Sequence, residues 1–323
     1  MEYRKLGNTG LDVSVIGLGT NNFGPRLDLQ ETTAVLDAAL EEGINFLDTA
    51  NAYGGGTSEE FIGEVFAKNG RRHDVIIATK VGLDVGGVAP SAPPSGPNKR
   101  GSSRQHIMDE VENSLRRLQT DYIDVFYMHM WDKNTPIEET LRALDDLVHQ
   151  GKVRYIGSSN YSAWQLTESV WTSKANNLFS YACVQPEYSL VVRNVEHELI
   201  PFCERYGMGL IPYFPLASGL LTGKYKRDEP LPEGTRMADG LRSELYRNRY
   251  LTDKNWELLG KLEGFAAERE HAVTDLAFAY LLASPVVPSV IAGATKPEQV
   301  HANAKSAEWR LTDDDVAAVR QLF

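Results

Sequence analysis

The chain has 323 residues, of which 42% are hydrophobic and 24% charged, and its net charge is −11. That length suits one large α/β barrel or two average domains, and the composition is ordinary for a soluble globular protein. The acidic balance and the lack of any Lys/Arg-rich run argue against a nucleic-acid groove or an anionic membrane as partner, while leaving room for a local basic pocket.

The two cysteines, Cys183 and Cys203, sit in no CxxC or metal-ligand spacing. Neither a disulfide framework nor a metal site is expected, and a reducing cytoplasm is the simplest location. The start, Met1-Glu2-Tyr3-Arg4-Lys5, lacks the apolar core of a signal peptide. No apolar run approaches the roughly 20 residues needed to span a bilayer.

Residues 3–14 read as a β-hairpin turning at Gly7-Asn8-Thr9-Gly10, placed to plug the bottom of a barrel. Val15 to Thr20 is a first buried strand; its glycines do not make GxGxxG, so a Rossmann reading is rejected. Helical spacing over 31–42 ends at Gly43, and a short strand runs through Phe46 to Asp48. A helix over about 58–68 leads to a strand ending at Lys80. The Gly/Pro/Ser-rich residues 82–103 form a long loop on the same face.

A helix over 104–118 precedes the strand 121–129, which ends at His129. Thr135-Pro136-Ile137-Glu138 then reads as a capping box opening a helix that stops at Gly151. Strand 153–160 and helix 163–173 follow, then strand 181–185, a helix over 195–206 capped by Asn194, and strand 207–214. Residues 217–250 read as a second long loop. Helices over 253–268 and 275–283, a strand over 286–291, a helix over 297–307 and a last helix capped by Thr312 complete the chain. Eight strand-then-helix units without a linker predict a single (β/α)8 TIM barrel over 1–323, with an N-terminal β-hairpin and an extra C-terminal helix.

In a parallel barrel all strand C-termini open on one face, where catalytic groups gather. Three strands here end on Asp48, Lys80 and His129, and Tyr53 lies just past the first. Each taken alone has an ordinary structural reading, as a buried cap, a packed ring or a solvated charge. As a set they make an acid–base site. A free tyrosine has a pKa near ~10, and a neighbouring Lys80 ammonium would lower it. Asp48 would hold Lys80 by an ion pair, and a neutral His129 would orient a substrate carbonyl. Tyr53 would then protonate that carbonyl as it becomes an alcohol. Such a site needs a hydride source, for which a nicotinamide is the natural candidate.

The segment from Asp48 through Tyr53-Gly-Gly-Gly-Thr-Ser-Glu59 resembles the strand-2 motif of the aldo-keto reductase superfamily. The run Arg116 to Asp124 is similar to the signature before that family's catalytic histidine. Gly157-Ser158-Ser159-Asn160, Gln185, and Ile211 to Ala217 on through Leu221 to Tyr225 resemble its cofactor cradle. The likeness covers nearly the whole chain.

It implies Tyr53 as general acid, tuned by Lys80 and Asp48. Ser159, Asn160 and Gln185 would sit on the nicotinamide carboxamide and Tyr213 would stack on the ring. Thr20 and Asp48 would lie near the ribose. Leu216, Ser218 and Lys224 would meet the pyrophosphate, and Arg236, Gly293, Thr295, Gln299 and Asn303 would line the adenosine end. Thr295 stands where the family frequently has an arginine and Gln299 where some members have another, with Lys296 one step along. NADP(H) is therefore the first choice of cofactor and NAD(H) remains possible.

Phe23, Trp131 and parts of the two long loops would wall an apolar pocket for the carbonyl or alcohol substrate. Two rivals stay open. One is a cofactor-sensing regulatory subunit like the potassium-channel β-subunits, which the chain also resembles. The complete catalytic set, and the lack of a long N-terminal extension before the barrel, favour the enzyme over it. The other is a barrel lyase forming a Schiff base on Lys80. Oligomeric state and physiological substrate are not legible.

Overall fold

The computed structural model describes residues 1–86, 94–239 and 242–323. The two long loops read from the sequence lie partly outside these residues. The hairpin pairs β1 (Tyr3–Lys5) with β2 (Asp12–Ser14). There follow β3 (Ile16–Gly19), α1 (Leu29–Glu41), β4 (Phe46–Asp48), α2 (Thr57–Asn69), β5 (Ile76–Val81), α3 (Arg104–Leu118), β6 (Ile123–Met128) and α4 (Ile137–His149). The second half holds β7 (Val153–Ser159), α5 (Ala163–Asn176), β8 (Cys183–Gln185), α6 (Leu199–Tyr206), β9 (Gly209–Leu210), α7 (Ser243–Tyr250), α8 (Asp253–Ala267), α9 (Val273–Leu282), β10 (Val290–Gly293), α10 (Pro297–Ser306) and α11 (Asp313–Arg320).

Eight parallel strands pair in the order β10-β3-β4-β5-β6-β7-β8-β9, the arrangement of a (β/α)8 fold. The curled sheet meets itself where Tyr213, just past β9, bridges Ile291, and the Ile291 N–H donates to the Pro212 carbonyl at 2.9 Å.

Strand periodicity sorts the side chains into two buried layers. Phe46, Ile76, Ala78, Val125, Tyr127, Cys183, Ile211 and Ile291 fill the barrel interior. The alternate residues, such as Leu47, Ile77, Val81, Phe126, Met128 and Val184, face the helices in a second and larger cluster. Leu6 and Val13 of the hairpin are fully buried in the interior layer, so the hairpin plugs the bottom of the barrel as the sequence predicts.

Several boundaries differ from expectation for local reasons. Thr135 does not cap α4: its hydroxyl donates to Asp132 Oδ2 at 2.8 Å, and Pro136 occupies the cap position with no side-chain bond. Asn194 opens only a short 3-10 turn, Asn194–Glu196, and α6 starts at Leu199. A helix begun at Val195 would put Pro201 in its interior, where it lacks a donor and clashes, whereas Pro201 fits the first turn of α6. The strand expected over 207–214 shrinks to β9 because Pro212 has no N–H to give the ladder. Likewise Pro288 keeps the strand expected over 286–291 from forming until Val290. Within 217–250 there are a 3-10 segment, Ala217–Thr222, and α7. The Thr312–Asp315 capping box of α11 forms as read.

Helices α2 and α3 meet at unusually close range. A Cβ built on Gly63 of α2 would lie 2.3 Å from the Arg117 carbonyl and 2.6 Å from the Leu118 carbonyl carbon. Alanine normally stabilises a helix interior over glycine by about 1 kcal/mol. Here Gly63→Ala is expected to lower stability by about 1–3 kcal/mol, because backbone rather than a mobile side chain must give way. Urea unfolding at constant m-value measures this, and an unchanged or raised midpoint would show that the two helices separate freely.

Candidate active site

Strand parity aims the chemistry inward. Phe46 points into the barrel, so Asp48 does too. Ala78 places Lys80 there, Val125 and Tyr127 place His129, and Cys183 places Gln185. All four lie at the C-terminal ends of β4, β5, β6 and β8, around one opening. Asp48 and Lys80 are buried to within 3% of full burial.

Lys80 Nζ donates to Asp48 Oδ2 at 2.7 Å, to the Thr49 carbonyl at 2.8 Å and to the Tyr53 hydroxyl at 3.3 Å. The other Asp48 oxygen, Oδ1, accepts from Gln185 Nε2 at 2.7 Å. Gln185 thus completes the ionic array, with Ser159 Oγ donating to its backbone carbonyl at 2.8 Å. Burial opposes the ammonium, but Asp48 and Tyr53 outweigh it, and the Lys80 pKa is raised.

Tyr53 departs from the sequence expectation. Burial pushes its phenol up, and the opposing pull of Lys80, itself offset by Asp48, does not reverse this, so its pKa lies above the ordinary value rather than below it. The phenol therefore holds its proton at neutral pH, as a donor must. His129 stands edge-on to Tyr53, with ring centroids 6.1 Å apart. Burial and the Lys80 charge lower its pKa to about 3, so its ring is neutral. Among the described residues its Nδ1 is buried without a hydrogen-bond partner.

The other expected residues surround this core. Thr20, fully buried, donates to the Asp48 carbonyl at 2.9 Å and bonds Ser58. Asn160 donates to the His129 carbonyl at 3.0 Å and accepts from the Tyr213 hydroxyl at 2.8 Å, which fixes both side chains beside the site.

Leu216 and Ser218 belong to the turn after β9. There Phe214, Ala217 and Ser218 all take positive φ, a costly run of the kind that marks ligand clamps. Ser218 Oγ is buried and has no hydrogen-bond partner among the described residues. The Lys224 stem lies against Gly219, where a Cβ would sit 2.5 Å from Lys224 Cε. Arg236 packs over the Phe214 ring at 5.2 Å and donates to Asn21 and Asn22. Asn22 in turn approaches Gly293 and donates to the Ala294 carbonyl.

Thr295 donates through its N–H and its hydroxyl to Gln299 Oε1, and Asn303 is buried on the same helix, α10. Trp131 is half-buried and packs edge-on against Tyr161 and Trp164. Phe23, expected in the pocket wall, is fully buried in the outer core.

The sequence reading missed four contributors, Arg26, Asn21, Asn22 and Glu187. Arg26, from the loop after β3, donates to the Gly234 and Asp239 carbonyls and so ties that loop to the 234–239 segment. Among the described residues Arg26, Lys224 and Arg236 form no ion pair. Burial, and then the neighbouring cations, lower the Lys224 pKa. Asn21 and Asn22 follow directly on Thr20, so the strand-end rule would have found them. Glu187 accepts from the Tyr250 hydroxyl at 2.5 Å and pairs with Arg249 at 2.5 Å, docking α7 beside Tyr213.

Removing one partner of a buried pair strands the other's charge. Asp48→Ala is expected to cost about 3–5 kcal/mol in stability. Much of this should return in Asp48→Ala/Lys80→Met, where no charge is left buried. Chemical denaturation of the two variants tests this, and equal losses in both would mean that packing rather than charge carries the effect.

Among the described residues no helix is long and apolar enough to cross a membrane, and no group of three or more His, Cys, Asp or Glu could hold a metal ion. The aldo/keto reductase family model matches residues 15–323. A probable voltage-gated potassium channel subunit beta of Oryza sativa subsp. japonica is 40% identical over 95% of this chain and 92% of its own length. An uncharacterized oxidoreductase of Bacillus subtilis (strain 168) is 37% identical over 100% of this chain and 96% of its own. An aryl-alcohol dehydrogenase of Pestalotiopsis microspora is 34% identical over 89% and 71%. The family generally uses a nicotinamide cofactor, and its oxidoreductase-named relatives support an oxidoreductase here. With Asp48, Tyr53, Lys80 and His129 gathered at the mouth of a (β/α)8 sheet, the chain belongs to the aldo/keto reductase family.

Proposed function

We propose that this protein is an NADP(H)-dependent reductase that interconverts an aldehyde or ketone and its alcohol. The observation that carries the reading is the single lysine, Lys80, bonded at once to Asp48 and to the Tyr53 hydroxyl beside a neutral His129. The nicotinamide supplies a hydride when bound. Tyr53, held protonated, gives its proton to the carbonyl oxygen. Lys80 stabilises the phenolate left behind, and Asp48 and Gln185 keep Lys80 in place. The uncharged His129 hydrogen-bonds the carbonyl oxygen and sets its angle without repelling Lys80.

The cofactor reading rests on the cation set and the clamp. Arg26, Lys224 and Arg236 converge without carboxylate partners among the described residues, beside the unpartnered Ser218 Oγ and the strained turn. Such a site suits a pyrophosphate. Asn160 and Tyr213 would hold the nicotinamide ring, and Gly293, Thr295, Gln299 and Asn303 the adenosine end. The half-buried Trp131 with Trp164 and Tyr161 favours a ring-bearing, apolar carbonyl, in keeping with the aryl-alcohol name of one relative.

A second reading, a cofactor-sensing regulatory subunit, is favoured by the 40% identity to a chain named as a channel subunit. Turnover separates the two readings.

Tyr53→Phe is expected to reduce kcat for aldehyde reduction by about 10²–10⁴-fold while fluorescence titration gives an unchanged Kd for NADPH. Near-normal turnover would remove Tyr53 as donor, and slow wild-type turnover with tight binding would favour the sensor. Lys296, exposed at the cap of α10, is the cation nearest in sequence to the Thr295–Gln299 pair. Lys296→Ala is expected to weaken NADPH binding by about tenfold and NADH binding far less, since one charge-assisted bond to phosphate is lost. An equal effect on both cofactors would take Lys296 away from the 2′-phosphate.

A further inference from the structure

Tyr53 opens a short 3-10 turn, Tyr53–Gly56, in which its N–H donates to the Ala50 carbonyl at 3.1 Å and the Gly55 N–H to the Ala52 carbonyl at 3.3 Å. Gly54, Gly55 and Gly56 follow it directly, with φ of +59°, +66° and +101°. Glycine adopts such angles freely, so three in a row leave the chain soft. Among the described residues, the side-chain hydrogen bond that the Tyr53 hydroxyl makes is the 3.3 Å contact from Lys80. Contacts outside this run add to those few local backbone bonds in fixing the ring.

The fixing groups lie behind the barrel wall, between β5 and helices α2 and α3. Ahead of the tyrosine, Asn51 is fully buried. Its Nδ2 donates to Glu110 Oε2 at 2.9 Å and to the Leu83 carbonyl at 3.2 Å, and its N–H donates to the Lys80 carbonyl at 3.1 Å. Behind the glycines, Glu59 is also fully buried. It accepts from Arg117 Nε at 2.6 Å and from Thr79 Oγ1 at 2.5 Å. Arg117 joins the two ends, with Nη2 3.5 Å from Glu110 Oε2. Its stem also packs against Gly56, where a Cβ would meet Arg117 Cδ at 2.9 Å. Asn113 fills the other Glu110 oxygen at 2.7 Å.

We propose that Glu110, acting through the Asn51 amide, and Arg117, acting through Glu59, are positioning residues for Tyr53. They touch no reacting atom. They clamp the chain on either side of the glycine run, and Thr79 ties the same cluster to the strand that delivers Lys80. The phenol and the ammonium are thereby held in one frame. This inference rests on the proposed role of Tyr53 as proton donor. A misplacement of about 1 Å can cost about 10²-fold in rate, which is the scale on which such a clamp acts.

The test compares Glu110→Ala, Glu110→Gln and Asn51→Ala with wild type, each as the full chain labelled with ¹³Cζ-tyrosine. The signal missing from Tyr53→Phe identifies Tyr53. In Glu110→Ala that resonance should shift or broaden, and kcat should fall by about 10- to 100-fold with KM and the NADPH Kd nearly unchanged, the pattern of a lost transition-state alignment. The pH limb belonging to Tyr53 should move as well. Glu110→Gln keeps an oxygen for the Asn51 amide and should restore most of both signals. An unmoved Tyr53 resonance in a folded Glu110→Ala overturns the proposal. If that variant does not fold, Asn51→Ala is read by the same criteria. The resonance decides the positioning role without turnover, so a wild type that reduces no carbonyl would count against the enzyme reading alone.

Discussion

The buried pair of Lys80 and Asp48 is the constraint on which the site depends. Taking both charges out of water costs several kcal/mol per ion, and the pair repays this only when the remaining lone pairs and protons are satisfied. Here they are: Gln185 takes the second Asp48 oxygen, and the Thr49 carbonyl and the Tyr53 hydroxyl take the remaining Lys80 protons. Asp48, Thr49 and Tyr53 come from β4 and the loop after it, Lys80 from β5 and Gln185 from β8. The pair therefore exists only when β4, β5 and β8 are in register, and it couples the electrostatics of the site to closure of the sheet.

Two layers of the fold meet at β5. Its inward residues end on Lys80, while its outward residue Thr79 reaches Glu59 on α2. Period-two alternation thus sends neighbouring side chains to opposite tasks, one to the reacting end and one to the support behind it. The glycines after Tyr53 let the backbone turn sharply into α2, and the cost of that freedom is met by buried polar contacts with α3. The close approach at Gly63 brings α2 and α3 near enough for those contacts to form.

Charge is distributed unevenly. The chain as a whole carries −11, yet Arg26, Lys224 and Arg236 gather at one side of the mouth without an ion pair among the described residues. Burial first, and then the neighbouring cations, disfavour the charged forms of Lys224 and Arg236. The positive-φ run at Phe214, Ala217 and Ser218 lies beside them, and strain of this kind persists where the surrounding structure overdetermines it.

Alternation of apolar runs along the chain was enough to predict the eight βα units, the plugging hairpin and the strand ends that carry Asp48, Lys80 and His129, because period and parity are local properties. Proline positions were legible too, yet their consequences for α6, β9 and β10 were misjudged where an apolar pattern ran through them. The direction of the Tyr53 shift was not legible: the sequence names Lys80 as a neighbour but does not say how much protein surrounds the phenol. Nor could it reveal that Phe23 is core, that Gln185 turns to Asp48, or that Arg26 joins Lys224 and Arg236. Those facts depend on burial and on contacts between residues far apart in the chain. Sequence by itself determined which groups stand at the barrel mouth, since strand parity follows from backbone geometry alone. Only the tertiary structure decided their protonation and their partners, since desolvation and distance arise when separate strands and helices come together.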